Sequence, residues 1–347
     1  MLTDAELFLL DPITEGKEAS AETEHLMKVV SGLATKSKEK STFKKYRTPW
    51  RRWIAWALKR TKQGERTVAL PAEPFQVALF LAHLAEKYAH CTTVVSSAKT
   101  AINFAHRFNG LPEPTGHLGQ AVSEGVKRTR GRPKIKATPL TKAMVRQIYR
   151  KWGKSFSLWK LMIATMVSVG FTSWCRFEEL ASLKACDVVF KGDHMQIFIE
   201  HSKTDQYREG AWVMVAKSKG GCCPVWLMKR FMMRARARGN TPIFRTIWRR
   251  SLQKSGDLSL GTRRIGSTVF HRYFRLALTK VVGLSVAKSR RYSGHSMRRG
   301  GATAAVLARV PDQLRMSHGR WVDRRSADGY IGVPAQTALQ VTKMINL

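Results

Sequence analysis

The sequence predicts a mainly α-helical protein of two domains, with a small antiparallel three-stranded sheet in the second. Three observations predict this. The chain has 347 residues, 44% of them apolar and including 10 Trp and 15 Phe, which exceeds one small domain and is enough for two cores. Helical periodicity starts at Ser41 and recurs, whereas strand-like patterning is confined to residues 187–216. Between the two regimes, residues 128–139 break all periodicity, because Gly131, Pro133 and Pro139 stop helices and Arg128, Arg130, Arg132, Lys134 and Lys136 exclude a core.

Taken in order, residues 1–40 read as a flexible arm with an acidic start and room for a short helix. Residues 41–128 read as a bundle of four or five helices. Phe43, Tyr46, Trp50, Trp53, Ile54 and Leu58 share one face of the first, interleaved with Lys44, Lys45, Arg47, Arg51 and Arg52. Pro49 places the start of that helix near Thr48, its expected cap. Segments 75–88 and 92–108 and a shorter one at 119–128 complete the bundle, and 129–140 is the linker. The second domain, 141–335, opens with Thr141 capping 142–151, followed by helical segments at 157–170 and 172–183. Strand-like segments follow at 187–190, 195–201 and 211–216. Helices are expected at 223–238 and 266–278, with 229–250 a very basic flank. Residues 336–347 form a tail carrying Leu339, Val341, Met344, Ile345 and Leu347.

Charge narrows the function. Lys and Arg outnumber Asp and Glu by 61 to 24, and seven of the acids fall in residues 1–28, so the remaining chain carries 59 basic against 17 acidic groups. Such an excess repels itself unless a polyanion neutralises it, and nucleic acid is the usual one. The basic face of the bundle (Lys44, Lys45, Arg47, Arg51, Arg52) and the linker (Arg128, Arg130, Arg132, Lys134, Lys136) are the candidate DNA contacts, gripping duplex phosphates without reading much sequence. The five cysteines form no C-x-x-C pair, so neither a disulfide framework nor a zinc site is indicated and an intracellular setting is expected. No apolar window is long enough to predict a membrane span.

The most informative stretch runs from Gly294 to Tyr330. Ser293 or Ser296 can cap a helix whose small residues Gly300, Gly301, Ala302, Ala304 and Ala305 permit close backbone approach. His295 and Arg298 are one turn apart at its positive end, a place for an anion such as phosphate. A His-x-x-Arg by itself also describes an ordinary surface helix start. Upstream, Arg176 and Glu179 are likewise one turn apart, which an ordinary i,i+3 ion pair would explain equally well.

Together these residues resemble the tyrosine recombinase (phage-integrase) family. The resemblance rests on His295-x-x-Arg298, on Trp321 nine positions before Tyr330, on Tyr330 lying 35 positions after His295, and on Arg176-x-x-Glu179-Leu180 followed by Leu183 and Asp187. It covers about 45–335, with specific motifs only in the second domain. It implies a two-domain C-shaped clamp, with a helical core-binding domain and a catalytic domain closing on duplex DNA. It also implies a catalytic set of Arg176, Lys203, His295, Arg298, Trp321 and Tyr330, supported by Glu179 and His318. Lys203 enters through the resemblance alone, as the lysine of the hairpin between the second and third strands. His318 competes with Trp321 but lies at the wrong distance from Tyr330. The phrasing from Gly294 to Thr303 and from Gly319 to Ile331 looks most like recombinases of eukaryotic mobile elements of the DIRS and Crypton kinds, which would place the protein in a nucleus with its DNA.

The chemistry the resemblance implies is cleavage and rejoining of DNA through a 3′-phosphotyrosyl bond on Tyr330. Two arginine forks would hold the non-bridging oxygens, His295 would serve as proton partner and Lys203 as the acid for the leaving 5′ oxygen. Trp321 would donate its indole N–H. Neither metal nor nucleotide cofactor is expected. The expected partners are double-stranded DNA and further copies of the chain, a dimer on each site and a tetramer in the synapse. The tail would dock on a neighbouring protomer, or else on its own domain. A type IB topoisomerase and a domesticated, non-catalytic DNA-binding protein are the competing readings.

Overall fold

The computed structural model describes residues 20–37, 40–65, 67–133, 135–202, 205, 209–218, 220–249 and 258–332. The chain divides into two compact units, Met1–Lys134 and Ile135–Leu347. The first contains α1 (Ala21–Lys36), α2 (Lys40–Lys62), α3 (Pro74–Lys87), α4 (Thr92–Phe108) and α5 (Gly116–Arg130). Trp50 and Trp53 of α2 are buried with Val77, Phe80 and Leu81 of α3 and Ile102 and Ala105 of α4. Helix α2 does not begin at Thr48. It runs unbroken from Lys40 with Pro49 inside it. Proline removes one helical hydrogen bond there, but Phe43 packs edge-on against Phe104 and Phe108 at 5.7 and 5.4 Å, so α4 anchors the turns before the proline. His106 of α4 is 1% exposed and accepts from the Ala72 N–H through Nε2 at 2.8 Å.

The second unit is built around α7 (Leu158–Ser173), where almost every side chain is buried. Packed against it are α6 (Lys142–Trp152), with Thr141 as its cap, and α9 (Pro224–Arg234). The short α8 (Phe177–Ser182) follows. The expected sheet is present as β1 (Val188–Phe190), β2 (His194–Ile199) and β3 (Ala211–Ala216), antiparallel in the order β1-β2-β3. Met195, Ile197 and Ile199 alternate inward on β2, which sets the register Val188 to Ile197 and His194 to Ala216. A second hairpin, β4 (Arg245–Arg249) with β5 (Leu258–Arg264), was not expected. Its arginines mask the alternation that puts Ile247 inside and leaves Trp248 exposed. The remaining elements are α10 (Ser267–Lys280), α11 (Val286–Ser289), α12 (Gly294–Leu307), α13 (Asp312–Gly319) and α14 (Arg324–Asp328). Among the described residues, no helix is long and apolar enough to cross a membrane.

Candidate active site

Helix α12 carries the centre of the site. Both expected caps act, because Ser293 Oγ accepts from the His295 N–H and Ser296 Oγ accepts from the Ser293 N–H. His271 of α10 adds a third tie, accepting the Gly294 N–H through Nε2 at 3.0 Å. The small residues of the motif are there for contact. A Cβ on Gly301 would collide with the Phe171 carbonyl and the Trp174 indole, and one on Gly300 with the backbone of Leu140. Helix α12 therefore lies directly on the end of α7.

That close approach buries Arg298 completely. Its Nη1 and Nη2 donate to the carbonyls of Trp174 and Gly319, each at 2.5 Å, and its guanidinium carbon lies 4.8 Å from the Tyr330 ring and 4.9 Å from the Trp321 ring. Burial first, and the neighbouring Arg176 second, lower its pKa to about 10. Trp174 makes this geometry possible by ending α7 in the left-handed conformation, at φ 51°. His295, one turn before Arg298, is exposed, and its ring centroid lies 6.5 Å from that of Tyr330.

Arg176 arrives from α8. Glu179 closes the first turn of that helix, accepting the Arg176 backbone N–H at 2.8 Å and its Nη1 at 2.6 Å, with only 3% of the Glu179 side chain exposed. Burial opposes the Arg176 charge, but the Glu179 carboxylate outweighs it, helped by the nearby Tyr330 hydroxyl, so the guanidinium is held above its ordinary value. Tyr330 is further placed by Arg299, whose Nη1 donates to the Gly329 carbonyl at 2.7 Å.

The structure thus brings Arg176, Glu179, His295, Arg298 and Trp321 together around Tyr330. Trp321 packs on the Tyr330 ring at 5.6 Å, and its buried indole N–H has no acceptor among the described residues. His318 serves as packing: it meets Trp174 edge-on at 4.7 Å and donates from Nε2 to the Thr172 carbonyl at 2.8 Å, with burial lowering its pKa. Lys203 and Lys134 lie outside the described residues.

Of the candidate DNA contacts, Lys44, Lys45, Arg51, Arg52, Arg128, Arg132 and Lys136 are exposed and Arg47 is partly buried. Arg130 is exposed overall, yet its Nη1 donates to the Ala85 carbonyl at 2.5 Å, tying α5 to α3. One residue of the site escaped the sequence reading. Arg320 donates from Nη2 to Glu179 at 2.6 Å, so two guanidinium groups share one carboxylate. Its position in Gly319-Arg320-Trp321 was the available signal. Among the described residues no group of three His, Cys, Asp or Glu side chains is placed to hold a metal ion.

No protein-family model matches the chain. A curated integrase/recombinase, a xerD homolog from Selenomonas ruminantium, is 26% identical over 302 residues, covering 85% of this chain and 82% of its own. The XerH site-specific recombinase bound to palindromic difH substrate in a post-cleavage complex shares the fold at a TM-score of 0.58 and 9% identity, covering 99% of this chain and 97% of that one. A lambda integrase dimer bound to a COC' core site does so at a TM-score of 0.50 and 17% identity, covering 90% and 96%. The chain thus gathers Arg176, His295, Arg298 and Trp321 on Tyr330, is similar in sequence to a curated integrase/recombinase and shares its fold with solved tyrosine recombinases.

Proposed function

We propose that this protein is a site-specific DNA recombinase that cuts and rejoins strands through a 3′-phosphotyrosyl bond on Tyr330. The observation that carries the reading is the meeting on one phenol of two guanidinium groups, an imidazole and a buried indole N–H with no acceptor among the described residues, from residues spread over 155 positions of the chain. The Tyr330 oxygen attacks the phosphorus, the P–O bond to the 5′ oxygen breaks, and that oxygen leaves with a proton. Ionising a free phenol at pH 7 costs about 4 kcal/mol, so the attacking hydroxyl needs a proton acceptor. His295 faces Tyr330 and takes its proton. Arg176 and Arg298 stabilise the negative charge that grows on the non-bridging oxygens. Lys203 protonates the leaving oxygen. The bond energy is kept in the phosphotyrosyl link, so rejoining needs neither metal nor nucleotide cofactor.

The bundle and linker lysines and arginines hold the duplex through its phosphates. The protein works as a dimer on each site and a tetramer in the synapse, in keeping with the DNA-bound dimer of lambda integrase. A cavity of about 580 Å³ in the second unit, lined by Phe171, Trp174, Trp212, Met214, Ala305 and Leu314 among others, receives the apolar tail of a neighbouring protomer.

The test uses a pool of nicked duplexes of random flanking sequence, which needs no knowledge of the target. Covalent adducts are isolated in denaturant, the DNA is digested, and mass spectrometry locates the modified residue. A 3′-linked nucleotide on Tyr330 is expected. Non-covalent binding alone, or a nucleotide on another side chain, would overturn the assignment.

A further inference from the structure

We infer that Arg320 is a positioning residue for the cleavage step, acting on Arg176 through Glu179. This rests on the reading of Arg176 as a phosphate ligand.

Three observations carry it. First, the Glu179 carboxylate is fully engaged and almost fully buried: Oε1 takes Arg176 Nη1, while Oε2 takes both the Arg176 backbone N–H and Arg320 Nη2. With Oε2 occupied, Glu179 cannot swing into a two-bond fork with Arg176, and the rest of the Arg176 guanidinium stays available to Tyr330, whose hydroxyl helps hold its charge. Second, three guanidinium groups, Arg176, Arg298 and Arg320, stand around this single carboxylate, so the site keeps a net positive charge for a phosphate even though Arg176 is paired. Arg320 side-chain exposure is 12%, and its Nε and Nη1 are buried without an acceptor among the described residues. Third, Arg320 sits in the left-handed backbone region at φ 52°, where glycine is at ease and a residue with a Cβ is not. A purely structural position of this kind favours glycine; an arginine here gains its place from the contact its head makes.

The third observation supplies a discriminating variant. Arg320→Gly relieves the backbone while removing the Glu179 contact, and Arg320→Lys keeps a charge. Single-turnover formation of the covalent adduct is measured at saturating nicked DNA, with DNA affinity by fluorescence anisotropy and thermal unfolding alongside. Arg320→Gly is expected to slow adduct formation by about 10–100-fold, as loss of a supporting contact does elsewhere, while affinity and melting temperature hold or improve. Arg320→Lys should recover part of the rate. In a Glu179→Gln background, Arg320→Gly should cost nothing further. Wild-type rates in Arg320→Gly, or an equal additional loss in the Glu179→Gln background, would overturn the inference. Failure of the wild-type protein to form any adduct on the same DNA would instead overturn the recombinase reading.

Discussion

Replacing Arg298 by methionine separates what this side chain does for the fold from what it does for the reaction. Burial holds the guanidinium at about 10, well below its ordinary value, so at about 1.4 kcal/mol per pKa unit its charge is disfavoured in the fold by about 3 kcal/mol. The sign is that of a buried base: the penalty is present at all pH values below about 10, and hence at neutral pH. Against it stand the two bonds to the Trp174 and Gly319 carbonyls, worth about 1.5–3 kcal/mol each for a charged donor. Methionine keeps much of the apolar stem against Trp321 and Tyr330, removes the charge and leaves both carbonyls unpaired. The terms largely offset, giving a net loss of about 0–3 kcal/mol and a melting temperature lowered by less than about 10 °C. Covalent adduct formation has no such compensation and should fall by about 10²–10³-fold, the usual result of deleting a donor to a developing oxyanion. Thermal unfolding followed by circular dichroism and denaturing gels on nicked DNA read the two effects on one preparation. A protein that fails to fold would make Arg298 a structural residue, and one that forms adduct at the wild-type rate would remove it from the reaction.

Other consequences of the packing are as direct. Gly301→Ala forces α12 off the Phe171 carbonyl and the Trp174 ring, and should cost about 1–3 kcal/mol in urea titrations while lowering cleavage, because Arg298 moves with the helix. Burial lowers the pKa of His106, His271 and His318 below the ordinary 6.5. As pH falls through that value the unfolded chain takes up protons that the folded chain refuses, so stability should be level above neutrality and decline below about 6.5. For His106 and His271 the protonated Nε2 also loses its bond from a backbone N–H. A urea midpoint as high at pH 5 as at pH 8 would contradict this. Removing residues 336–347 should leave cleavage of a single site intact but prevent pairing of two sites, read by mass photometry on DNA, and unaltered pairing would exclude the tail from assembly.

What could be read in advance depended on whether the physics was local. His295 and Arg298 were legible because one helical turn fixes their spacing, and Arg176 with Glu179 because the pair closes the first turn of its own helix. The three-strand sheet was legible because short β-branched and aromatic runs at 187–190, 195–201 and 211–216 are separated by turn residues. Arg320 was not, because its partner Glu179 is 141 residues away and no periodicity links them. The β4–β5 hairpin was hidden by its arginines, and the continuity of α2 through Pro49 follows from aromatic contacts with α4 that no propensity encodes. His318, a supporting candidate by its place in the sequence, packs beneath Trp174 and bonds the Thr172 carbonyl, contacts that its spacing alone does not reveal. The likeness to eukaryotic mobile-element recombinases rested on the wording of two short motifs.

The central claim is that these side chains converge to make Tyr330 a nucleophile. It is tested most directly by comparing the wild-type protein with Tyr330→Phe on a nicked duplex from which the cleaved fragment escapes, trapping the covalent state. The account predicts an adduct that survives denaturation for the wild type and none for Tyr330→Phe, with DNA affinity nearly unchanged because the ring and its contacts with Trp321 and Arg298 remain. Equal covalent capture by the phenylalanine variant would contradict it.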